Sequence, residues 1–229
     1  MGDPVFGMVN FVGQGKAYAQ YVAAPATHLA RIPEGISFEQ AAASTLAALT
    51  AFQVLNGSVN SGDRVLVHAG SGGVGHFAIQ IARHLGAQVI TTSSAQNKAF
   101  VLDLGADQHI DYRAQAFEEV LKDIDLVFDM FNGDILYNSL KVVKNGGTVV
   151  SIPTPEFSEE VRELAKEKQV NLQFHMVQSN GKDMQALADL LEQGAIKPHI
   201  SQVFGFEEMA AAHQQMESGR TVGKLVVTL

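Results

Sequence analysis

The fold is decided by residues 64–86, which read Arg64-Val-Leu-Val-His-Ala-Gly-Ser-Gly-Gly-Val-Gly-His-Phe-Ala-Ile-Gln-Ile-Ala-Arg-His-Leu-Gly86. The aliphatic run at 65–67 is typical of a strand that is buried on both faces of a parallel sheet. From residue 74 onward the apolar residues recur at helical spacing, and Gly86 stands where a helix C-cap is expected. A strand, a glycine turn spaced G-x-G-x-x-G and an amphipathic helix, in this order, predict a dinucleotide-binding βαβ unit.

The glycine turn is expected to bind phosphate because it leads into a helix N-terminus. The first N–H groups of a helix lack partners within it, and they lie at the positive end of the helix dipole. Glycines let the chain turn tightly and let a diphosphate approach without meeting a Cβ atom. The spacing alone is compatible with an ordinary turn, but the flanking strand and helix favour a nucleotide site. The residues predicted to hold the phosphates are Gly70, Ser71, Gly72, Gly73, Val74 and Gly75.

The composition excludes several classes of function. The chain has 229 residues, of which 46% are hydrophobic, and its formal net charge is −8. Nucleic acids and anionic membranes attract basic surfaces, so neither is an expected partner. The chain has no cysteine, which excludes disulfides and thiolate metal ligands. No apolar stretch reaches the length of about 18 residues that a membrane span needs, and the N-terminus shows no signal pattern, so a cytoplasmic protein is expected.

The rhythm of the remaining segments predicts a doubly wound α/β sheet. Apolar strand candidates alternate with helix candidates, as in right-handed βαβ crossovers, and six such strands correspond to the Rossmann fold. A capping box at Ser37 and Gln40 predicts a further helix that runs to Leu55, and residues 17–24 are an additional strand candidate. The six strand candidates of the sheet are residues 65–67, 88–92, 109–111, 124–129, 148–152 and 171–177.

The end of the second strand indicates which nicotinamide cofactor is bound. Proteins that bind NADH carry an acidic residue about 20 positions beyond the first glycine, where it receives the ribose hydroxyls. Here that region reads Thr91-Thr-Ser-Ser94, followed by Lys98. Hydroxyl groups can donate to a 2′-phosphate that a carboxylate would repel. NADPH is therefore the predicted cofactor, with Ser93, Ser94 and Lys98 near its 2′-phosphate. The alternative is that the two serines merely begin a helix and the lysine is solvated.

A metal site is not expected. Catalytic zinc needs converging His, Cys or carboxylate ligands, and among the eight histidines only His76 and His84 have a spacing that would place them on one helix. Asp129, at the end of the fourth strand, lies at the sheet edge where ligands bind. A carboxylate that caps a loop is the favoured interpretation of Asp129, and no general acid is assigned.

Five stretches together resemble the zinc-independent quinone oxidoreductase branch of the medium-chain dehydrogenase/reductase superfamily. Their order and spacing are more specific than any one of them, and the resemblance runs over essentially the whole chain. The stretches are Gly13-Gln-Gly-Lys-Ala-Tyr-Ala-Gln-Tyr-Val, Ala47-Ala-Leu-Thr-Ala-Phe-Gln, Gly62-Asp-Arg-Val-Leu-Val-His-Ala-Gly-Ser-Gly-Gly-Val-Gly, Leu104-Gly-Ala-Asp and Gly219-Arg-Thr-Val-Gly-Lys.

The resemblance implies hydride transfer from NADPH to a quinone, an enone or a similar activated carbonyl compound. It places the family's 2′-phosphate site at Ser94, although Asn97 stands where parts of the family carry a lysine. It implies that Tyr112 contacts the adenosine end and that Thr50 lies near the nicotinamide. The alternatives are an aromatic side chain at the core edge for Tyr112 and, for Thr50, a hydroxyl bonded to its own helix.

The resemblance also implies a domain organisation and a partner. Residues 1–45 and 197–229 would form a partial, discontinuous, β-rich GroES-like substrate domain around a Rossmann domain at 46–196. The family normally carries a further segment in front, which supplies the first part of the substrate domain. The edge strand at 171–177, from Asn171 to Val177, is expected to pair in a homodimer. The alternative function is a NADPH-binding sensor, or a truncated and inactive form that acts through a partner.

Overall fold

The structure is a computed structural model that describes residues 2–153 and 155–229. The strands are β1 (Val5–Phe6), β2 (Ala30–Arg31), β3 (Arg64–Val67), β4 (Gln88–Ser93), β5 (Gln108–Asp111), β6 (Ile124–Asp129), β7 (Val143–Ser151), β8 (Asn171–Phe174), β9 (Ile200–Gly205) and β10 (Lys224–Thr228). The α-helices are α1 (Phe38–Ala43), α2 (Leu46–Leu55), α3 (Gly75–His84), α4 (Lys98–Asp103), α5 (Gly133–Val142), α6 (Glu159–Glu167), α7 (Gly181–Glu192) and α8 (Met209–Glu217).

The chain divides into two compact units. The terminal unit contains the chain up to Gln53, Gly72–Phe77 and Val177–Leu229, and the sheet unit contains Val54–Ser71 and Ala78–Met176. The domain segments expected from the resemblance, 1–45, 46–196 and 197–229, stay a prediction about the family's domains. No helix among the described residues is long and apolar enough to cross a membrane.

The sheet unit confirms the predicted doubly wound fold. Its six strands are ordered β5-β4-β3-β6-β7-β8, and every neighbouring pair is parallel. The order reverses direction between β3 and β6, and ligands of such sheets bind at the carboxyl ends of the strands at this point. The aliphatic residues of β3, Val65, Leu66 and Val67, are completely buried. Burial on both faces explains why this strand is uniformly apolar rather than alternating.

Helix α3 is buried more completely than its sequence pattern predicts. The spacing predicts one apolar face, yet Ile79 and Gln80, which lie off that face, are also buried. Gly86 ends the helix as predicted, with a left-handed φ of 86°. An ideal Cβ on Gly86 would also lie only 2.7 Å from the Ser61 Oγ, so both conformation and space favour glycine there.

Other predicted elements also differ from the structure. The edge strand predicted at 171–177 ends at Phe174, because the neighbouring strand β7 ends at Ser151 and the ladder between them stops there. The capping box at Ser37 and Gln40 is present, but the helix that it starts ends at Ala43, and a second helix begins at Leu46. The Ser44 hydroxyl donates to the Gln40 carbonyl, a local bond that competes with helix continuation. Residues 17–24 form no strand, since no described strand lies beside them to complete a hydrogen-bonded ladder.

The terminal unit contains two small sheets. Strands β1 and β2 pair antiparallel, and β9 and β10 pair parallel. Helix α7 packs against β2, while α1 and α8 pack against the β9–β10 pair. Strand β10 begins at Lys224, which lies beside Gly73 of the glycine turn.

Candidate dinucleotide-binding site

The turn between β3 and α3 presents free backbone donors. The N–H groups of Gly72, Gly73, Val74 and Gly75 have no acceptor in the part of the chain that the structure describes. The next N–H, that of His76, donates to the Gly72 carbonyl at 3.1 Å and so starts the helical pattern. Four consecutive free N–H groups at the N-terminus of a ten-residue helix form an arrangement that suits an anion.

Gly70 is needed for packing within the sheet unit. An ideal Cβ on Gly70 would lie 2.0 Å from the Oγ1 of Thr91, an impossible approach. That hydroxyl is held in place because it donates to the Val67 carbonyl at 2.7 Å. The left-handed backbone of the turn falls instead on Ala69, whose φ is 50°. The first glycine of the motif is therefore needed because Thr91 of β4 packs against it. The sequence pattern alone does not distinguish this role from a close approach by a ligand.

Lys224 adds a positive charge to this candidate site within the terminal unit. An ideal Cβ on Gly73 would lie 3.3 Å from its Cδ and 3.5 Å from its Nζ. Burial lowers the pKa of Lys224 below its usual range, and the described residues contain no carboxylate paired with its ammonium group. A partly buried cation beside free N–H groups fits a diphosphate. Sequence reasoning missed this residue, which is far from the turn along the chain.

His76 holds the turn as a neutral imidazole. Its ring is completely buried, and burial lowers its pKa to about 4. Its Nδ1 lies 2.9 Å from the Gly72 carbonyl oxygen, to which it donates. Its Nε2 then accepts from the N–H of His199 at 3.4 Å. His76 therefore links the turn to the start of β9 and leaves the positive charge of the site to Lys224.

Most of the hydroxyls at the end of β4 are used within the sheet unit. Thr92 lies 3.1 Å from the Nδ1 of His68, and the Ser93 Oγ lies 2.9 Å from the Nε2 of His109. Ser94 is only 6% exposed, and its side chain makes no hydrogen bond among the described residues. Of the two serines predicted to face the 2′-phosphate, Ser94 thus has a hydroxyl available for a ligand, and Ser93 has one already engaged.

Asn97, Lys98 and Tyr112 lie near the ends of β4 and β5, where the adenosine end of the cofactor is expected. The Nδ2 of Asn97 donates to the Ser71 Oγ at 2.9 Å, so Asn97 supports the turn. Tyr112 is 57% exposed, and its N–H donates to the Ser93 carbonyl at 3.3 Å. Lys98 is exposed at the first position of α4. The structure brings Asn97 to Ser71 and the Tyr112 backbone to Ser93. The backbone N–H of Lys98 donates to the Ala95 carbonyl, and the Lys98 side chain makes no hydrogen bond among the described residues.

Thr50 and Asp129 are both engaged inside the protein. The Thr50 hydroxyl is 3% exposed and donates to the Leu46 carbonyl at 2.8 Å within its own helix. A nicotinamide contact for Thr50 therefore stays a prediction. Asp129 accepts from the Ser151 hydroxyl at 2.8 Å and from the N–H of Phe131 at 3.3 Å. Burial raises its pKa, and these bonds partly offset that effect. Asp129 caps the loop after β6.

Among the described residues, no three His, Asp or Glu side chains converge as a metal site would require.

The chain is similar to known dehydrogenases and quinone oxidoreductases. A family profile described as zinc-binding dehydrogenase matches residues 104–227, more than half of the chain. The solved quinone oxidoreductase from Coxiella burnetii is 38% identical and superposes with a TM-score of 0.93, covering 100% of this chain and 73% of that one. The Escherichia coli quinone oxidoreductase complexed with NADPH is 28% identical, with a TM-score of 0.83 over 93% of this chain and 72% of that one.

A curated relative has a reductase activity. The 2-methylene-furan-3-one reductase of Solanum lycopersicum is 33% identical over 99% of this chain. The present chain spans 57% of the length of that relative.

Proposed function

The chain belongs to the zinc-binding dehydrogenase family, with the fold of quinone oxidoreductases of the medium-chain dehydrogenase/reductase superfamily, and on this premise we propose that it transfers hydride from NADPH to a quinone, an enone or a similar activated carbonyl compound. The proposal rests mainly on one observation, which is that the free N–H groups of Gly72–Gly75 lie beside the Lys224 ammonium group. The NADPH complex of the Escherichia coli structure and the reductase activity of the Solanum lycopersicum protein support the same assignment.

In this proposal the residues of the turn bind the diphosphate, and bound NADPH supplies the hydride. The free N–H groups donate to phosphate oxygens, and Lys224 neutralises part of their charge. Ser94 donates to the 2′-phosphate. A quinone or an enone accepts hydride readily because the resulting negative charge is delocalised, so the proposed reaction does not require a Lewis acid. The role of the protein is then to orient the two reactants.

We propose that the reaction is independent of zinc, despite the family's name. The sequence has no cysteine to supply thiolate ligands. Dialysis against a chelator should leave turnover unchanged. Activity that is lost with the chelator and restored by Zn²⁺ would contradict this part of the proposal.

The experiment that tests the function is NADPH oxidation in the presence of 1,4-benzoquinone or phenanthrenequinone. Turnover with either acceptor is the expected result, together with tighter binding of NADPH than of NADH in a fluorescence titration. Absence of NADPH binding would overturn the proposal. Binding without turnover over a broad panel of acceptors would favour the sensor, or a form that acts through a partner. A cytoplasmic location remains part of the proposal and is tested by cell fractionation.

Replacement of Ser94 by aspartate should reverse the cofactor preference. The carboxylate would lie where the proposal places the 2′-phosphate, and it would repel NADPH while accepting the ribose hydroxyls of NADH. We expect NADPH affinity to fall by about tenfold or more, in line with the loss of a charge-assisted hydrogen bond. Ser94→Ala is the matched control, since it removes the hydroxyl without adding charge. If the ratio of NADPH affinity to NADH affinity is the same in Ser94→Asp as in the wild type, the 2′-phosphate binds elsewhere.

The edge strand β8 supports the proposal of a homodimer. In the described sheet, β8 pairs only with β7, so its other side is open to a strand from a second copy. We expect a mass of twice 24.6 kDa by light scattering. The double variant Asn171→Lys/Gln173→Lys adds charge at two exposed edge positions and should shift the protein to the single-chain mass. The control variant Gln214→Lys/Gln215→Lys adds the same charge on an exposed face of α8 and should keep the mass of the dimer.

A further inference from the structure

A buried polar network in the sheet unit adjoins Ala69 and Gly70, and the proposed reaction does not use it. His68 directly follows β3 and is 1% exposed. Its Nδ1 lies 3.1 Å from the Thr92 Oγ1, and its Nε2 lies 2.9 Å from the Ser139 Oγ. The ring also packs against Phe117 at 4.7 Å between centroids. A histidine with both nitrogens bonded in an apolar setting has one defined orientation.

The hydrogen bonds of the network have an assignable direction. The Ser139 hydroxyl donates to the Ile135 carbonyl at 2.7 Å, so it must accept from the Nε2–H of His68. Burial lowers the pKa of His68 to about 3, and the ring is therefore neutral with Nδ1 as an acceptor. The Thr92 hydroxyl consequently donates to Nδ1. Its oxygen keeps a lone pair free, which accepts the N–H of Ala69 at 3.3 Å.

The Thr92 hydroxyl, oriented in this way, fixes the backbone at the start of the turn. Ala69 adopts the left-handed conformation, which costs a residue with a Cβ some strain. The Thr92 hydroxyl holds its N–H, and the Thr92 carbonyl accepts the next N–H, that of Gly70, at 3.0 Å. One residue of β4 thus binds two consecutive N–H groups at the start of the turn. His68 in turn directs the Thr92 hydroxyl proton away from them.

We propose that His68 and Thr92 are positioning residues, which hold Ala69 and Gly70 in the conformation that presents the following free N–H groups to the diphosphate. This inference rests on the proposed function for its ligand, but the conformation itself belongs to the protein without ligand. His68 is proposed to touch neither cofactor nor substrate. It acts through Thr92.

The test compares two variants that each leave one ring nitrogen of His68 without a partner. Thr92→Val keeps the shape of the side chain but removes the acceptor of the Ala69 N–H. Ser139→Ala removes the other partner of the ring and leaves the turn alone. We expect similar losses of thermal stability, whereas NADPH affinity should fall by about tenfold in Thr92→Val only, as for one lost buried hydrogen bond. Thr92→Ser keeps the hydroxyl and should restore affinity.

Amide hydrogen exchange of the ligand-free protein gives a second measurement that needs no cofactor. In the wild type, the N–H groups of Ala69 and Gly70 should exchange slowly, and those of Gly72 and Gly73 quickly. Thr92→Val should accelerate exchange at Ala69, and Ser139→Ala should not. The inference is overturned if Ala69 exchanges as fast as Gly72 in the wild type, or if both variants weaken NADPH binding equally. Should the wild type fail to bind NADPH, the proposed function fails, and the exchange data still decide the positioning role.

Discussion

Replacement of Gly73 by aspartate should abolish NADPH binding. A Cβ at this position would lie 3.5 Å from the Lys224 ammonium, so the new carboxylate would pair with it and occupy the phosphate site. Two unit charges at about 4 Å repel each other by about 4 kcal/mol at the effective dielectric constant of a protein surface. We therefore expect a loss of affinity of more than about 100-fold, measured by fluorescence titration with NADPH.

The matched control for this variant is Asn145→Asp. Asn145 is exposed in β7, so the change adds the same charge to the protein without approaching the candidate site. Its NADPH affinity should equal that of the wild type. Thermal unfolding of both variants verifies that they fold. Full affinity in a folded Gly73→Asp protein would show that the phosphates bind elsewhere, and the nucleotide site would then be wrongly assigned.

Replacement of Lys224 by methionine should weaken NADPH binding by about 10- to 100-fold, the range for loss of a charged hydrogen bond. Methionine keeps much of the length of the side chain and removes its charge. Lys224→Arg keeps the charge and should retain more of the affinity. Lys166→Met removes an exposed lysine of α6 and controls for the change in net charge. Equal affinities in Lys224→Met and the wild type would remove Lys224 from the site.

The lowered pKa of Lys224 makes a pH dependence part of the same prediction. The charged ammonium binds the phosphates, so its contribution to affinity is complete below the lowered pKa and is lost as the pH rises through it. A bound diphosphate favours the charged form, so NADPH should also raise this pKa. The affinity of the wild type should decline toward alkaline pH, and the decline should be absent in Lys224→Met. The same slope in both proteins would assign the titration to another group.

The central sheet was predictable because its signals are local. A strand buried on both faces is uniformly apolar, and β6 was predicted with the bounds that the structure shows. The glycine turn and the C-cap at Gly86 depend on neighbouring residues only. The single helix predicted from Ser37 to Leu55 was wrong in one detail, since the break after Ala43 follows a side-chain bond of Ser44 that composition does not reveal.

The free amide donors of the turn follow directly from the order of amino acids, because any helix that begins after a glycine turn exposes its first N–H groups. The charge that faces them does not follow in this way. Lys224 reaches Gly73, and His76 reaches His199, only because β9 and β10 are folded against the turn in the terminal unit. The same holds for Ser93, whose hydroxyl is taken by His109 of the next strand. Periodicity along the chain reports which face of an element is buried. It does not report which distant side chain contacts that face. Those contacts depend on how segments far apart along the chain pack together in the tertiary structure.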